Sequence, residues 1–262
     1  MQENVITSLQ NARVKHLVAL QQKSSERRKE GLFVVEGLRE VERCQSVGYE
    51  LAEVFYCPAI LDEPFTVNAP AIFEVTKAVY EKIAYRGSTE GVIATVKTKT
   101  TTLADLNLGD TPLIVVLESL EKPGNLGAVL RSADAAGADA VIVCDPLTDL
   151  FNPNLVRNST GAIFSVPCVA CSTDECINFL QDKGINILTA QLQDSELYYD
   201  TDMRGATAIV MGTESTGLTD AWRKAANAHI RIPMLGITDS LNVSVSAAIL
   251  LYEAVKQRHT AK

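Results

Sequence analysis

Residues 113–145, "LIVVLESLEKPGNLGAVLRSADAAGADAVIVCD", decide the fold. The stretch opens on a continuous apolar run, LIVVL, and closes on another, AVIVC, with no in-out alternation in either. Runs of that kind belong to strands buried on both faces. Between them Pro123 and Gly124 turn the chain and Asn125 is placed to cap a helix. Leu126, Val129, Leu130 and Ala133 then recur at spacings of three and four, so one face of that helix is apolar. The stretch reads as strand, helix, strand, with the helix crossing between parallel strands.

The same alternation continues toward the C-terminus, where INILTA (185–190) and AIVMG (208–212) are further apolar runs separated by helix-like segments. A parallel α/β sheet covered on both faces is expected, and ligands of such sheets sit beyond the carboxyl ends of the strands. The loops after Leu117, Val143, Ala190, Met211 and Ile232 are therefore where chemistry belongs. The last element, within 236–258, predicts a buried helix from Val245, Ala248, Ile249, Tyr252 and Val255. Its approach crowds Asp239, Ser240, Asn242 and Ser244 together, more short polar side chains than one helix cap needs.

Toward the N-terminus, residues 98–110 are polar, threonine-rich and aperiodic, and predict a linker between a domain at 1–97 and another at 111–262. The first domain alternates helical patterns (9–22, 39–46) with short strand patterns, LFVVE at 32–36 among them. A chain of 262 residues with 47% apolar and 21% charged residues can bury cores for both. The start lacks a signal-peptide layout and there is no run of eighteen apolar residues, so a cytoplasmic location away from membranes is expected.

Six cysteines in so large a chain point to reduced thiols. Cys168 and Cys171, with Cys176 beyond, have the spacing of half a zinc knuckle, but no second pair or histidine follows. Buried structural thiols and no metal are the expectation. The net charge of −8 argues against whole-surface affinity for nucleic acid. A local basic cluster nevertheless stands at Arg13, Lys15, His16, Lys23, Arg27, Arg28 and Lys29, opposed in sequence by Glu26. From charge alone, an ordinary solvated helix face is the better explanation of such a run.

Three loops carry the functional signal. GNLGAVLRSADAAGA (124–138), GTESTGL (212–218) and IPMLGITDSLNVSVSAAILLYEA (232–254), in this order and spacing, closely resemble the three motifs of the SpoU/TrmH family of RNA ribose 2′-O-methyltransferases. The first domain resembles that family's L30e-like RNA-binding extension through LQNARVKHLVAL, FVVEG and STEGVIATV. The resemblance implies an α/β sheet threaded into a deep trefoil knot, a homodimer formed through the knotted domain, and S-adenosylmethionine as cofactor. The implied catalytic residues are Asn125, Arg131, Glu214, Ser240 and Asn242; those holding the cofactor, largely through backbone, are Ala190, Gly212, Ile232, Met234 and Leu241. Arg13, Lys15, Arg27, Arg28 and Lys29 would carry the RNA. Ser215 and Thr216 stand where relatives often have other residues, which leaves substrate choice open, with ribosomal RNA expected ahead of transfer RNA because the resembling extension is commoner among enzymes acting there.

A guanidinium stays protonated at working pH, so Arg131 suits stabilisation of a developing alkoxide better than proton abstraction. Two other classes compete with a methyltransferase. A catalytically silent, knotted RNA-binding or ribosome-assembly protein is disfavoured by the intact polar set. A dinucleotide-dependent oxidoreductase is disfavoured by the absence of a G-x-G-x-x-G turn.

Overall fold

A computed structural model describes residues 5–61, 64–85, 90–213 and 216–260. The chain divides into two compact units, one of residues 1–99 with 149–164 and one of 100–148 with 165–262.

The first unit contains β1 (Val5–Ile6), α1 (Ala12–Gln22), α2 (Ser24–Glu30), β2 (Leu32–Glu36), α3 (Leu38–Ser46), β3 (Leu51–Tyr56), β4 (Ile72–Val75), α4 (Lys77–Ile83) and β5 (Val92–Lys97). Its mixed sheet runs β1-β4-β3-β5-β2. Leu17, Leu20, Phe55, Val79 and Tyr80 sit in its core. Gly37, between β2 and α3, has φ +109°, a conformation open to glycine and costly for other residues.

The second unit begins with β6 (Leu113–Glu118), α5 (Pro123–Ala136) and β7 (Ala140–Cys144). Then α6 (Pro153–Ser159) and most of α7 (Ala162–Ser165) return to the first unit. There Phe151 stacks on Phe33 at 4.6 Å between ring centroids, and Phe164 meets Tyr49 edge-on at 5.4 Å. Sequence boundaries had placed this excursion wholly in the second domain; its aromatic residues have their apolar partners in the first.

The second unit continues with β8 (Cys168–Cys171), α8 (Thr173–Asp182), β9 (Asn186–Ala190), β10 (Glu196–Leu197), β11 (Thr207–Met211), α9 (Asp220–Ala225), β12 (Ala228–Arg231) and α10 (Val243–Thr260). Its seven-stranded sheet runs β10-β12-β9-β11-β6-β7-β8, and every pairing is parallel. Ile114 and Val116 share a core with Cys176, Leu180 and Trp222 from α8 and α9. By the two-residue period of a strand, Val115 and Leu117 face the opposite layer, where α5 and α10 pack. The predicted linker is not free chain: Leu103, Leu106 and Leu108 pack against this core, three apolar side chains that the threonine-rich composition hid.

Two local expectations change. Asn125 does not cap α5; the helix starts at Pro123, Lys122 holds the cap position, and Asn125 is the third helical residue. In α10 the helix is where the pattern puts it, but the buried face is Val243, Ala247, Leu250, Leu251 and Ala254. Val245 and Tyr252, from the stripe that suggested the helix, are 47% and 51% exposed. Both stripes are apolar, and periodicity cannot say which one meets the sheet. At the other end of α10, Arg258 donates to the carbonyls of Met203, Thr111, Pro112 and Gly205, tying the helix to the entries of β6 and β11.

Candidate functional site

At the carboxyl edge of the parallel sheet the loops after β9 and β11 and the approach to α10 enclose a cavity of about 360 Å³. Ala190, Gly212, Leu218, Ser240, Leu241 and Val243 are on its wall, with Arg223 of α9 and Ser246 of α10. Three of the five expected cofactor residues, Ala190, Gly212 and Leu241, thus meet in one place. Ile232 and Met234, half-buried on the preceding segment, are outside the lining.

The loop after β11 is closed upon itself. Thr213 and Gly217 exchange backbone hydrogen bonds of 3.3 and 3.1 Å, and the Thr213 hydroxyl accepts from the Thr216 N–H at 3.0 Å. The returning strand of this turn passes so close to Gly212 that a Cβ there would overlap the Gly217 carbonyl. The glycine is needed for close backbone approach, and the result is a fixed rim of polar backbone. Glu214 lies outside the described residues.

Asn242 joins the first and third motifs. Its side-chain carbonyl accepts from Ser244 N–H at 2.9 Å, capping α10, while its amide donates to Asn125 Oδ1 at 3.2 Å. One residue therefore fixes the start of α10 and the first turn of α5 together. Ser240, exposed, donates to its neighbour Asp239 at 3.3 Å. Arg131 is exposed on α5, six residues beyond Asn125. That separation is roughly 9 Å along the axis and about 120° around it. The arginine thus projects from a different face of the helix.

Glu118 was not anticipated. It ends β6, is 3% exposed, and accepts from the Thr219 N–H at 2.9 Å and hydroxyl at 2.7 Å. The Thr173 hydroxyl donates to Asp145 at 2.7 Å and stands 3.2 Å from Glu118. This carboxylate holds Thr219, the residue that leads into α9, and so anchors the loop that rims the cavity. An acid closing an otherwise apolar strand was the available signal, since buried charges need dedicated partners.

The basic cluster divides. Arg27 is buried, donating to Asp149 at 2.6 Å and to the carbonyls of Leu20 and Gln21. It fastens the 149–164 excursion to α1 and α2 within the first unit and is not open to RNA, a correction to its expected role. Arg13 pairs with Glu53 and lies over the Phe73 ring. His16 is 2.6 Å from Glu30. Lys15, Arg28 and Lys29 remain exposed.

Cys168 and Cys171 do not form a chelating pair. They occupy one strand three residues apart, a spacing that sends their side chains to opposite faces. Cys171 instead meets Cys144 and Cys176, all three sulfurs lying within 4.8 Å of one another. Hydrogen bonds from Cys144 and Cys176 hold the Cys171 thiol below the ordinary cysteine range.

A parallel sheet covered by helices on both faces, with a cavity at its carboxyl edge, defines a doubly wound α/β protein. Residues 112–252 match the SpoU rRNA methylase family, and residues 11–94 match the MRM3-like substrate binding domain. The chain belongs to the SpoU rRNA methylase family. It is 30% identical over 97% of its length to the 23S rRNA (uridine(2479)-2′-O)-methyltransferase of Streptomyces viridochromogenes, of which 92% is covered. A crystal structure of an RNA 2′-O ribose methyltransferase is 41% identical, with a TM-score of 0.87 over 97% of this chain and 99% of that one. An AdoMet-bound rRNA methyltransferase from Sinorhizobium meliloti superposes with a TM-score of 0.87 at 28% identity, covering 96% of this chain and 97% of that one.

Proposed function

We propose that this chain transfers a methyl group from S-adenosylmethionine to a ribose 2′-hydroxyl in structured RNA, with ribosomal RNA the substrate class. The observation that carries this reading is the cavity at the sheet's carboxyl edge, built by the loops of the second and third motifs and linked by Asn242 to the first. Its volume, about 360 Å³, lies within the ~300–1,000 Å³ of small-molecule sites. Gly212 keeps this rim free of a side chain, and the cavity it borders has the size of a small-molecule site, so the residues present fit the cofactor.

Ala190, Gly212 and Leu241 hold the cofactor in this proposal, with Ile232 and Met234 assigned through family resemblance. S-adenosylmethionine, when bound, supplies an electrophilic methyl on a sulfonium. The chain's own part is to place the ribose and favour loss of its proton. Asn125 and Asn242, already fixed against each other, orient the ribose with Ser240; Arg131 stabilises the developing alkoxide. Glu214 supports the arginine or the neighbouring loop. Lys15, Arg28 and Lys29 meet phosphates, which position the RNA without reading its sequence.

The reading includes a homodimer through the second unit and a cytoplasmic location. Support for the dimer comes from the apolar residues left exposed around α10: Leu235, Ile237, Val245 and Tyr252. The Tyr252 hydroxyl reaches the Ala135 carbonyl, one turn beyond Arg131, so a partner covering this face would approach the arginine. A trefoil knot in the segment leading to α10 belongs to the same proposal. Calorimetry tests the first step: S-adenosylmethionine binds and NAD does not. Label transferred from the methyl-labelled cofactor to ribosomal RNA but not to transfer RNA supports the substrate class; the reverse result overturns it.

A further inference from the structure

Away from the cavity, Cys144 ends β7, Cys171 ends β8, and Cys176 lies in the first turns of α8. Cys144 and Cys171 are register partners on adjacent parallel strands, so their side chains leave the same face of the sheet side by side. The helix that covers that face brings the third sulfur, completing a triangle with every edge within 4.8 Å. We propose that this triangle is a three-thiolate site for a divalent zinc ion, with water in the fourth position.

Size, charge and access support the choice. With zinc–sulfur bonds of about 2.3 Å and tetrahedral angles, ligand sulfurs stand roughly 3.8 Å apart. The thiols need to close by no more than about 1 Å, a rotamer adjustment rather than a backbone change. Binding replaces three S–H protons by one cation and releases them to solvent. Three thiolates around a monovalent ion leave a local charge of −2; around a divalent ion they leave −1. Asp145 and Glu175 stand next to two of the ligands in sequence, and carboxylates beside the triangle favour the ion of higher charge.

Cys144 and Cys176 are fully buried, whereas Cys171 is only partly buried and provides the entry path. Among the described residues no fourth histidine, cysteine or carboxylate completes the group. An open fourth position is the arrangement in which zinc keeps a water. The neighbouring Thr173 bonds to Asp145 and approaches Glu118, which anchors Thr219 at the cavity rim. An ion bound here would rest on the framework that supports the proposed cofactor loop, yet its binding can be measured without any methyl transfer.

The test uses the full chain, purified reduced and stripped with a chelator, then titrated with zinc against a chromophoric zinc chelator. One zinc per chain is expected. Cys171→Ser should weaken it by at least roughly 100-fold while circular dichroism is unchanged, and Cys168→Ser should leave it as in the wild type. Cobalt(II) substitution of the wild-type chain gives a second readout that needs no variant. Sulfur-to-metal charge-transfer bands of a three-thiolate tetrahedral complex are expected. Zinc that is lost to the chelator, zinc bound equally well by a folded Cys171→Ser protein, cobalt without those bands, or tight binding of copper(I) in preference to zinc would each overturn the assignment.

Discussion

At the scale of single residues, the proposed function assigns cofactor binding to residues of the cavity wall and methyl transfer to Arg131, which is outside it. Arg131 is exposed and makes no part of the cavity wall, so Arg131→Ala should lower the methyl-transfer rate constant about 10²–10³-fold, the usual loss when a charge-stabilising donor is removed. Calorimetric affinity for S-adenosylmethionine should stay within about twofold; lost cofactor binding in a folded variant would move Arg131 into the cofactor site. Gly212 has the opposite profile. A Cβ overlaps the Gly217 backbone, so Gly212→Ala should displace the rim and weaken cofactor binding by at least about tenfold, ~1.4 kcal/mol. Asn242→Ala removes a helix cap and should cost about 1 kcal/mol in denaturant unfolding, with Asn242→Asp retaining most of that stability because aspartate also caps. Catalysis should fall in both, since neither replacement side chain can donate an amide N–H to Asn125.

At the scale of elements, the strands were legible and the partners of the helices were not. LIVVLE, AVIVC and the apolar runs of β9 and β11 are strands where their composition put them, because only a doubly buried strand tolerates such runs. For α10 the period was legible but the buried face was not, since two apolar stripes compete. The basic run at 23–29 looked uniform for a related reason: Arg27 and Arg28 are identical in sequence, and only the position of Asp149, far along the chain, turns one inward. Breaking that buried pair with Arg27→Ala should destabilise the first unit by about 3–5 kcal/mol, read from thermal or denaturant unfolding. Replacing Lys15, Arg28 and Lys29 by Gln should leave stability within about 0.5 kcal/mol. RNA affinity should fall, with the slope of log affinity against log salt flattening by roughly 0.7 to 0.9 per lost contact. An unchanged slope would make these three side chains a solvated surface and send the RNA path elsewhere.

At the scale of the whole molecule, the sequence boundary near residue 98 separates two patterns but not two independent pieces of chain, because 149–164 returns to the first unit. Removing residues 1–97 takes away Phe33 and Tyr49, the partners of Phe151 and Phe164. The remaining fragment should bind S-adenosylmethionine yet bind apolar dyes and scatter light; Phe151→Ser with Phe164→Ser should suppress both signals. The three motifs are far apart in sequence, and their resemblance to a family singled out Ala190, Gly212, Ser240 and Leu241, which line one cavity, where periodicity could not. Glu118 and the thiol triangle depend on register between strands, which local pattern does not encode. The most direct test of the central claim is the chemical position of the transferred methyl. Ribosomal RNA treated with the protein and methyl-labelled S-adenosylmethionine should carry the label in an alkali-resistant dinucleotide, because a methylated 2′-oxygen cannot attack the adjacent phosphate. Label recovered in alkali-sensitive mononucleotides with a methylated base, or no label in RNA at all, would contradict ribose methylation by this chain.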